Sequence, residues 1–360
     1  MNEHTYVAIM AGGVGSRFWP ASREDKPKQF LDIAGDGRSL LRMTFDRFLK
    51  LTSADKIFIV TNGRYRQLVK DHLPEVTDQQ ILCEPSRNNT APSVAYTAFK
   101  LHGIDPEANF VIAPSDALIV NDTLFTANIN KALRFTAEND ALLTLGISPD
   151  APHTGYGYIQ FLDEQTNTDD VYRVKRFTEK PDLPTAKSFL KSGDYLWNAG
   201  IFIWRARTIL DAYEQHAPEI YALLSQGLDR YNTDQEQAFI DEFYPQTPSI
   251  SVDYAIMENA DNIYTIPAQF GWSDLGAWGA LYHESNKDKD GNVLTGRVVL
   301  EDTHNSFIRG PKDKLVVVGG VDDLLVIDEG DVLLVYPRNR EQEIKALRAR
   351  VEELHGEGYV

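Results

Sequence analysis

Three closely spaced glycines are followed by a group of basic residues near the start of the chain. They come after the apolar run 6–10, in the order Gly12, Gly13, Gly15, Arg17, Arg23, Lys26 and Lys28. Glycine turns let backbone N–H groups approach a ligand closely, and anions are the usual ligands of such turns. A helix interior does not tolerate Pro20 or Pro27, so we expect an irregular loop whose side chains carry cations to phosphate groups. The alternative is an ordinary glycine turn beside a solvated basic face.

Two well-known phosphate-binding loops do not fit this segment. The dinucleotide fingerprint requires a third glycine where Phe18 stands, and the P-loop requires a Gly-Lys-Ser/Thr sequence that would begin at Arg17. The glycine spacing therefore argues against a Rossmann oxidoreductase.

Two aspartates stand where they could ligate a metal ion. Asp116 directly follows an apolar run in the sequence Ala-Pro-Ser-Asp, and Asp274 stands in Gly-Trp-Ser-Asp-Leu-Gly. Each aspartate alone is more typical of a turn or a helix cap. Beside a triphosphate-binding loop, however, the pair suits Mg²⁺, which proteins usually hold with one or two carboxylates plus substrate phosphates.

Strands alternate with helices through the first 147 residues. Short apolar runs at 6–10, 56–61, 80–83, 109–113 and 141–147 predict strands, and segments of helical periodicity lie between them. This alternation predicts an α/β fold with a Rossmann-like, mostly parallel sheet that helices cover on both faces. In such sheets ligands bind outside the carboxyl ends of the strands, where the glycine loop and Asp116 would emerge.

The pattern changes after Pro152. Two longer strands at 156–161 and 171–180 predict a β-rich insertion, and helices follow over 207–243. From 292 to 336 the apolar runs are short, β-branched and broken by glycine, which indicates a small all-β unit or a few coils of a β-solenoid. We therefore predict a catalytic domain over residues 1–288 and a small β unit with a terminal helix over 289–360.

The composition limits the classes of partner and compartment. No apolar run approaches the length of a membrane span, and Cys83 is the single cysteine. These observations predict a cytoplasmic protein without a membrane partner. The formal net charge of −17 argues against nucleic-acid binding, because phosphate contacts dominate affinity for nucleic acids. An anionic substrate would need local cations or a metal ion to offset this charge.

The pattern GGxGxR…P…KPKQF over residues 12–30 closely resembles the signature of the sugar-1-phosphate nucleotidylyltransferase family. Its KPKQF ending is most similar to the mannose-1-phosphate guanylyltransferase branch. Further matching motifs follow in the expected order, among them Phe-Thr-Glu-Lys-Pro at 177–181, Trp-Asn-Ala-Gly at 197–200 and Ser-Val-Asp-Tyr-Ala-Ile-Met-Glu at 251–258. The resemblance implies a Mg²⁺-dependent nucleotidyltransferase that moves GMP from GTP to α-D-mannose 1-phosphate, giving GDP-mannose and pyrophosphate.

The resemblance also implies roles for individual residues. It implies three catalytic cations, of which Arg17 and Lys28 would hold the triphosphate and Lys180 the sugar phosphate. The implied nucleotide-binding residues are Ala11, Gly12, Gly13, Gly15, Glu84, Pro85, Asn89, Thr90 and Ser115. The implied sugar-binding residues are Gly157, Glu179 and Asn198, and the implied Mg²⁺ ligands are Asp116 and Asp274. Asn88 departs from the family pattern, which usually has arginine there, so that arginine's role is not carried over.

Two alternative functions stay open. The nearest is the same chemistry with another base or sugar, as in a glucose-1-phosphate uridylyl- or thymidylyltransferase, because base preference depends on the geometry of pocket contacts. A non-catalytic nucleotide-sugar sensor with a regulatory β tail belongs to a different class, and the intact set of basic and carboxylate residues argues against it.

The segment beyond residue 285 predicts assembly and not chemistry. It has no His/Glu cluster of metal-ligand spacing, so we expect no isomerase domain and a single activity. Its β-branched runs are too short to bury themselves alone and need a partner surface, either the catalytic domain or a second subunit. We expect the segment to dock on such a surface and to help form a homodimer.

Overall fold

The computed structural model describes residues 3–33, 35–166, 168 and 170–360. Its strands are β1 (Thr5–Met10), β2 (Ile57–Asn62), β3 (Ile81–Glu84), β4 (Asn109–Pro114), β5 (Leu118–Ile119), β6 (Leu142–Ile147), β7 (Tyr158–Gln165), β8 (Tyr172–Thr178), β9 (Tyr195–Arg205), β10 (Ile263–Ala268), β11 (Trp272–Ser273), β12 (Val293–Thr295), β13 (Arg297–His304), β14 (Phe307–Arg309), β15 (Leu315–Asp322), β16 (Leu324–Asp328) and β17 (Leu333–Pro337).

The α-helices are α1 (Leu40–Phe48), α2 (Arg66–His72), α3 (Thr90–Ile104), α4 (Asp122–Glu138), α5 (Leu183–Ser192), α6 (Ala206–His216), α7 (Pro218–Leu224), α8 (Glu236–Phe243), α9 (Trp278–Glu284) and α10 (Ile344–His355). A π-helix covers Asp253–Met257. In the described part of the chain, no helix combines the length and the apolar character that crossing a membrane requires.

The chain folds into two compact units, each made of several stretches of sequence. Unit 1 comprises Met1–Gly12, Thr44–Ser115 and Ile119–Trp272. Unit 2 comprises Gly13–Met43, Asp116–Leu118 and Ser273–Val360. The glycine loop after Gly12 therefore belongs to the same unit as the C-terminal strands.

Unit 1 is built on a nine-stranded sheet of order β3-β2-β1-β4-β9-β6-β10-β8-β7, in which β7 also pairs with β9. The pairs β1–β2, β1–β4, β2–β3 and β6–β10 are parallel. The pairs that β9 makes with β4, β6 and β7 are antiparallel, as are β8–β10 and β7–β8. The predicted α/β class is confirmed, whereas the prediction of a mostly parallel sheet is wrong, because the sheet is mixed.

The strand β9 accounts for much of this difference. It runs antiparallel between β4 and β6, and most of its residues are buried. A strand buried on both faces carries a nearly continuous apolar run whatever its direction. The residue pattern of β9 therefore does not predict whether this strand runs parallel or antiparallel to its neighbours.

The chain order reverses across β1 in this sheet. It proceeds from β1 to β2 and β3 on one side and then places β4 on the other. The amide of Ser115 donates to the Met10 carbonyl at 3.0 Å, and the amide of Ala11 donates to the Val60 carbonyl at 2.7 Å. The carboxyl ends of β1, β2 and β4 therefore lie together at a topological switch point, where open α/β sheets bind ligands.

Unit 2 has its own apolar core and an all-β segment. The Phe18 and Trp278 rings lie 4.8 Å apart, and the Trp278 and Phe307 rings lie 5.4 Å apart. The parallel ladder β12-β14-β16 continues into β17, which is antiparallel to β16, while β13 and β15 form a second parallel pair. The helix α10 follows these strands, where the sequence predicted a terminal helix.

Candidate functional site

Lys28 contacts both predicted metal ligands, and all three residues belong to unit 2. It begins a 3-10 turn and is 3% exposed. Its ammonium donates to Oδ2 of Asp116 at 3.1 Å and to the backbone carbonyl of Asp274 at 2.9 Å. It also lies 5.3 Å from the centre of the Phe18 ring. The fold thus brings Lys28 and both predicted metal ligands together, although these residues are far apart in sequence.

Gly15 makes room for Lys28. Its φ of +74° lies in the left-handed region that favours glycine, and a Cβ added there would stand 2.5 Å from the Cβ of Lys28. The backbone amide of Lys28 donates to the carbonyl of Val14 at 3.1 Å, and the hydroxyl of Ser22 donates to the same carbonyl. This segment of the glycine loop is therefore packed directly onto Lys28.

The two aspartates have the donor chemistry that Mg²⁺ prefers. Asp116 offers carboxylate oxygens beside the Lys28 ammonium, and Oδ1 of Asp274 accepts from the amide of Gly276 at 3.1 Å. One or two carboxylates are the usual protein share of a Mg²⁺ site, since substrate phosphates supply further oxygens. Arg17 lies on the preceding 3-10 turn and is exposed.

In unit 1, Glu84 is a buried carboxylate at the carboxyl end of β3. Its Oε1 accepts hydrogen bonds from the hydroxyls of Ser93 and Tyr244. Its Oε2 lies on the side of Gly12, where an added Cβ would stand 3.5 Å away. Burial raises the pKa of Glu84, while the hydrogen bonds from Ser93 and Tyr244 oppose this rise.

The residues that follow Glu84 anchor the start of α3. The side-chain amide of Asn88 donates to the carbonyls of Tyr244 and Thr247, at 3.1 and 2.8 Å. Asn89 has a φ of +66° and caps α3 through a 2.9 Å hydrogen bond from the amide of Thr90. Asn88, which departs from the family pattern, thus has a structural task in this chain. Pro85 is exposed, and Ser115 is buried at the switch point.

The predicted sugar-binding residues come together elsewhere in unit 1. The amide of Asn198 donates to the carbonyl of Gly157 at 2.8 Å. A Cβ on Gly157 would stand 2.5 Å from Oε2 of Glu179. Oε1 of Glu179 lies 2.5 Å from the ammonium of Lys180, whose φ of +43° is unusual for a residue with a side chain. These four residues form one cluster.

Asp253 joins this cluster, although its sequence position alone predicted no role for it. Its Oδ1 accepts from the side-chain amide of Asn198 at 3.0 Å. Burial, and secondarily the negative charge of Glu179, raise the pKa of Asp253 to about 7. Its position inside the matching segment 251–258 was a sequence signal, whereas Ser93 and Tyr244 gave none.

Comparisons with known proteins identify the family of this chain. Residues 6–291 match the nucleotidyl transferase family model, and residues 296–354 match a model described as a MannoseP isomerase/GMP-like beta-helix domain. The chain is 37% identical to mannose-1-phosphate guanylyltransferase RfbM of Salmonella typhimurium, an alignment that covers 94% of this chain and 71% of that protein. It is 34% identical to mannose-1-phosphate guanylyltransferase of Escherichia coli, over 98% of this chain and 74% of that protein.

A solved structure is similar along nearly the whole chain. It is described as mannose-1-phosphate geranyltransferase from Thermus thermophilus, and it superposes with a TM-score of 0.87 at 29% identity. The superposition covers 97% of this chain and 99% of that one. The chain therefore belongs to the nucleotidyl transferase family and, within it, to the branch of the mannose-1-phosphate guanylyltransferases.

Proposed function

We propose that this chain transfers GMP from GTP to α-D-mannose 1-phosphate. The relatives at 34% and 37% identity carry this activity in their names. A phosphate oxygen of mannose 1-phosphate attacks the α-phosphorus of GTP, and the bond from that phosphorus to its bridging oxygen breaks. Pyrophosphate leaves with the electron pair, and GDP-mannose remains. The second pKa of a phosphate monoester is about 6, so the attacking group is largely ionised at neutral pH and needs no general base.

The buried carboxylate of Glu84 is the observation that favours guanine as the base. An ionised carboxylate only accepts hydrogen bonds, and Oε1 of Glu84 is already occupied by Ser93 and Tyr244. Guanine presents two adjacent donors, the ring N1–H and the exocyclic amino group, which suit such an acceptor. Uracil and thymine present one N–H between two carbonyl oxygens, and these oxygens would be repelled. Glu84 therefore favours a guanylyltransferase over a uridylyl- or thymidylyltransferase.

The residues of unit 2 would serve the triphosphate. In this proposal Lys28 and Arg17 neutralise phosphate charge, with the backbone of Gly13 and Gly15 close to the phosphates. Lys28 is well suited because its position is set by packing and two hydrogen bonds, so little reorganisation is needed as charge develops. Asp116 and Asp274 would hold Mg²⁺ together with phosphate oxygens. When bound, Mg²⁺ reduces the repulsion between two anionic substrates.

The cluster around Asn198 would serve the sugar phosphate. Lys180 is the cation of this cluster and would clamp the phosphate group. Glu179 and Asn198 would bind sugar hydroxyls, because a carboxylate accepts hydrogen bonds and an amide both accepts and donates them. Gly157 contributes by leaving the space that Glu179 occupies.

The domain organisation, assembly and location of the protein are also matters of proposal. We propose a catalytic domain over 1–288, a β-solenoid within 289–360, a homodimer and a cytoplasmic location. The register of β13 and β15 supports an apolar contact surface, since Val299 and Val317 are paired neighbours and are 51% and 66% exposed.

A substrate panel tests the proposed function. Four nucleoside triphosphates are combined with mannose 1-phosphate and glucose 1-phosphate in the presence of Mg²⁺, and released pyrophosphate is measured. GTP with mannose 1-phosphate should be the best pair. A preference for UTP or dTTP would overturn the base assignment, and binding without any release of pyrophosphate would favour the sensor.

The variant Glu84→Gln tests the residue that carries the assignment. Replacing one carboxylate oxygen by an amino group puts a donor against the donors of guanine. We expect kcat/KM for GTP to fall by about a hundredfold, the scale on which mismatched buried polar groups discriminate. The variant Asp229→Asn, at an exposed carboxylate of unit 1, is the matched control and should behave as the wild type.

A further inference from the structure

Both the oxygen and the nitrogen of the Asn198 side-chain amide form hydrogen bonds within the protein. Its Oδ1 accepts from the hydroxyl of Thr144 at 2.9 Å and from the amide of Gly200 at 3.1 Å. Its Nδ2 donates to Oδ1 of Asp253 at 3.0 Å. An asparagine amide can accept two hydrogen bonds and donate two. Three of these four positions are therefore occupied, and within the described part of the chain one N–H of the amide is left.

The chemistry of the partners permits only one orientation of this amide. The backbone amide of Gly200 can only donate, and an ionised Asp253 can only accept. If the amide rotated by 180°, two donors would face each other at Gly200 and two acceptors would face each other at Asp253. Since leaving hydrogen-bonding groups unsatisfied in a partly buried site is costly, the rotated state is disfavoured.

The backbone is irregular both near Asn198 and at Asp253. The pairing of β6 with β9 shifts register between Thr144 and Gly146, and Gly146 is the partner of Asn198. Such bulges re-aim a side chain and are frequent next to active sites. Asp253 is the first residue of the π-helix Asp253–Met257, and short π-helical segments are also frequent at functional sites.

We propose that Asp253 is a positioning residue that fixes the amide of Asn198, so that its remaining N–H donates to a hydroxyl of the sugar 1-phosphate. This inference rests on the proposed function, because it takes Asn198 to bind the sugar. Asp253 itself acts through Asn198. The segment 251–258 thereby acquires a task in sugar binding that its sequence did not reveal.

The charge of Asp253 depends on the groups packed around it. Glu179 and Lys180 face it from the segment after β8, with opposite effects on its pKa, and Ser251 bonds to it from its own segment. Tyr213 faces it from α6. Because the pKa of Asp253 is raised to about 7, its carboxylate is lost as the pH falls below neutrality, and its hold on the Asn198 amide weakens.

A double-mutant cycle tests whether Asp253 acts through Asn198. The KM for the sugar 1-phosphate that the wild type turns over is measured for Asp253→Ala, Asn198→Ala and the double variant. Each single change should raise this KM by about tenfold, the equivalent of one hydrogen bond to a charged or polar partner, and should leave the KM for GTP within about twofold of the wild-type value. The double variant should be no worse than Asn198→Ala alone. Additive effects, near a hundredfold, would overturn the proposal, as would an unchanged KM in Asn198→Ala.

A pH profile of Asp253→Asn gives a second test if Asp253→Ala does not fold. This variant keeps an acceptor oxygen but cannot titrate. Both proteins act on the same substrate, whose phosphate titrates in this range. The ratio of the two KM values therefore cancels the effect of that titration. The wild-type KM should rise relative to that of the variant as the pH falls through about 7, and a ratio independent of pH would overturn the proposal. Asp229→Asn, which removes an exposed carboxylate, is the control, and its KM should follow the pH dependence of the wild type. A wild type that turns over a different sugar would refute the proposed substrate without altering the logic of the cycle.

Discussion

Gly15→Ala should disable the loop by displacing Lys28. The added Cβ would stand 2.5 Å from the Cβ of Lys28, and ordinary contact begins near 3.4 Å, so one group must move by about 0.9 Å. The clash is with the root of the lysine side chain and its flexible end cannot relieve it. A displacement of about 1 Å of a positioning group commonly costs about a hundredfold in rate. We expect kcat for pyrophosphate release to fall by that factor.

The same substitution should also lower stability. Alanine at a φ of +74° costs roughly 1–2 kcal/mol, and overpacking adds about 1–3 kcal/mol. Urea denaturation should therefore show a loss of about 2–5 kcal/mol in the free energy of unfolding, the sum of these two ranges.

Two other glycines of unit 2 separate these causes. Gly37 has a φ of +90° but open space around its Cβ position, so Gly37→Ala should lose stability and keep full turnover. Gly13 also has open space and no positive φ, so Gly13→Ala should be the milder change within the loop. A folded Gly15→Ala protein with near-normal kcat would refute the reasoning. An equal loss of turnover in Gly37→Ala would show that backbone strain, and not the contact with Lys28, is responsible.

Three further predictions address the metal, the two substrates and the core. Asp274→Asn should lower Mg²⁺-dependent turnover by about a hundredfold, and normal turnover in the folded variant would contradict its proposed role. Lys28→Ala should chiefly impair the use of GTP and Lys180→Ala the use of mannose 1-phosphate, measured as separate kcat/KM values; identical effects would show that the roles are wrongly divided. The buried ammonium of Lys100 contacts both oxygens of Glu236, at 2.8 and 2.6 Å. Lys100→Met should therefore destabilise the protein by about 3–5 kcal/mol in urea denaturation while the KM values stay unchanged, and a loss below about 1 kcal/mol would refute the importance of this pair.

The sequence by itself determined the local features of the site. Short apolar runs predicted β1 to β4 because buried strands of a sheet are apolar throughout. The start of α3 at Thr90 is also a local feature, since its capping residue Asn89 is adjacent and Pro92 stands within the first turn. The ordered motifs also identified Gly157, Glu179, Lys180 and Asn198 as a set, and the fold brings them together.

Only the tertiary structure decided the direction of β9 and the partners of the charged groups. A buried strand has the same residue pattern in either direction, so the mixed sheet could not be predicted from it. Tyr244 reaches Glu84 from 160 positions along the chain, and no local pattern encodes such a contact. The burial of Lys28 was missed for a similar reason, because the sequence predicted only that an irregular loop carries this cation to phosphate groups. The environment of a side chain depends on which distant segments pack against it, and in this protein those segments set the charge of Asp253, the orientation of Asn198 and the position of Lys28.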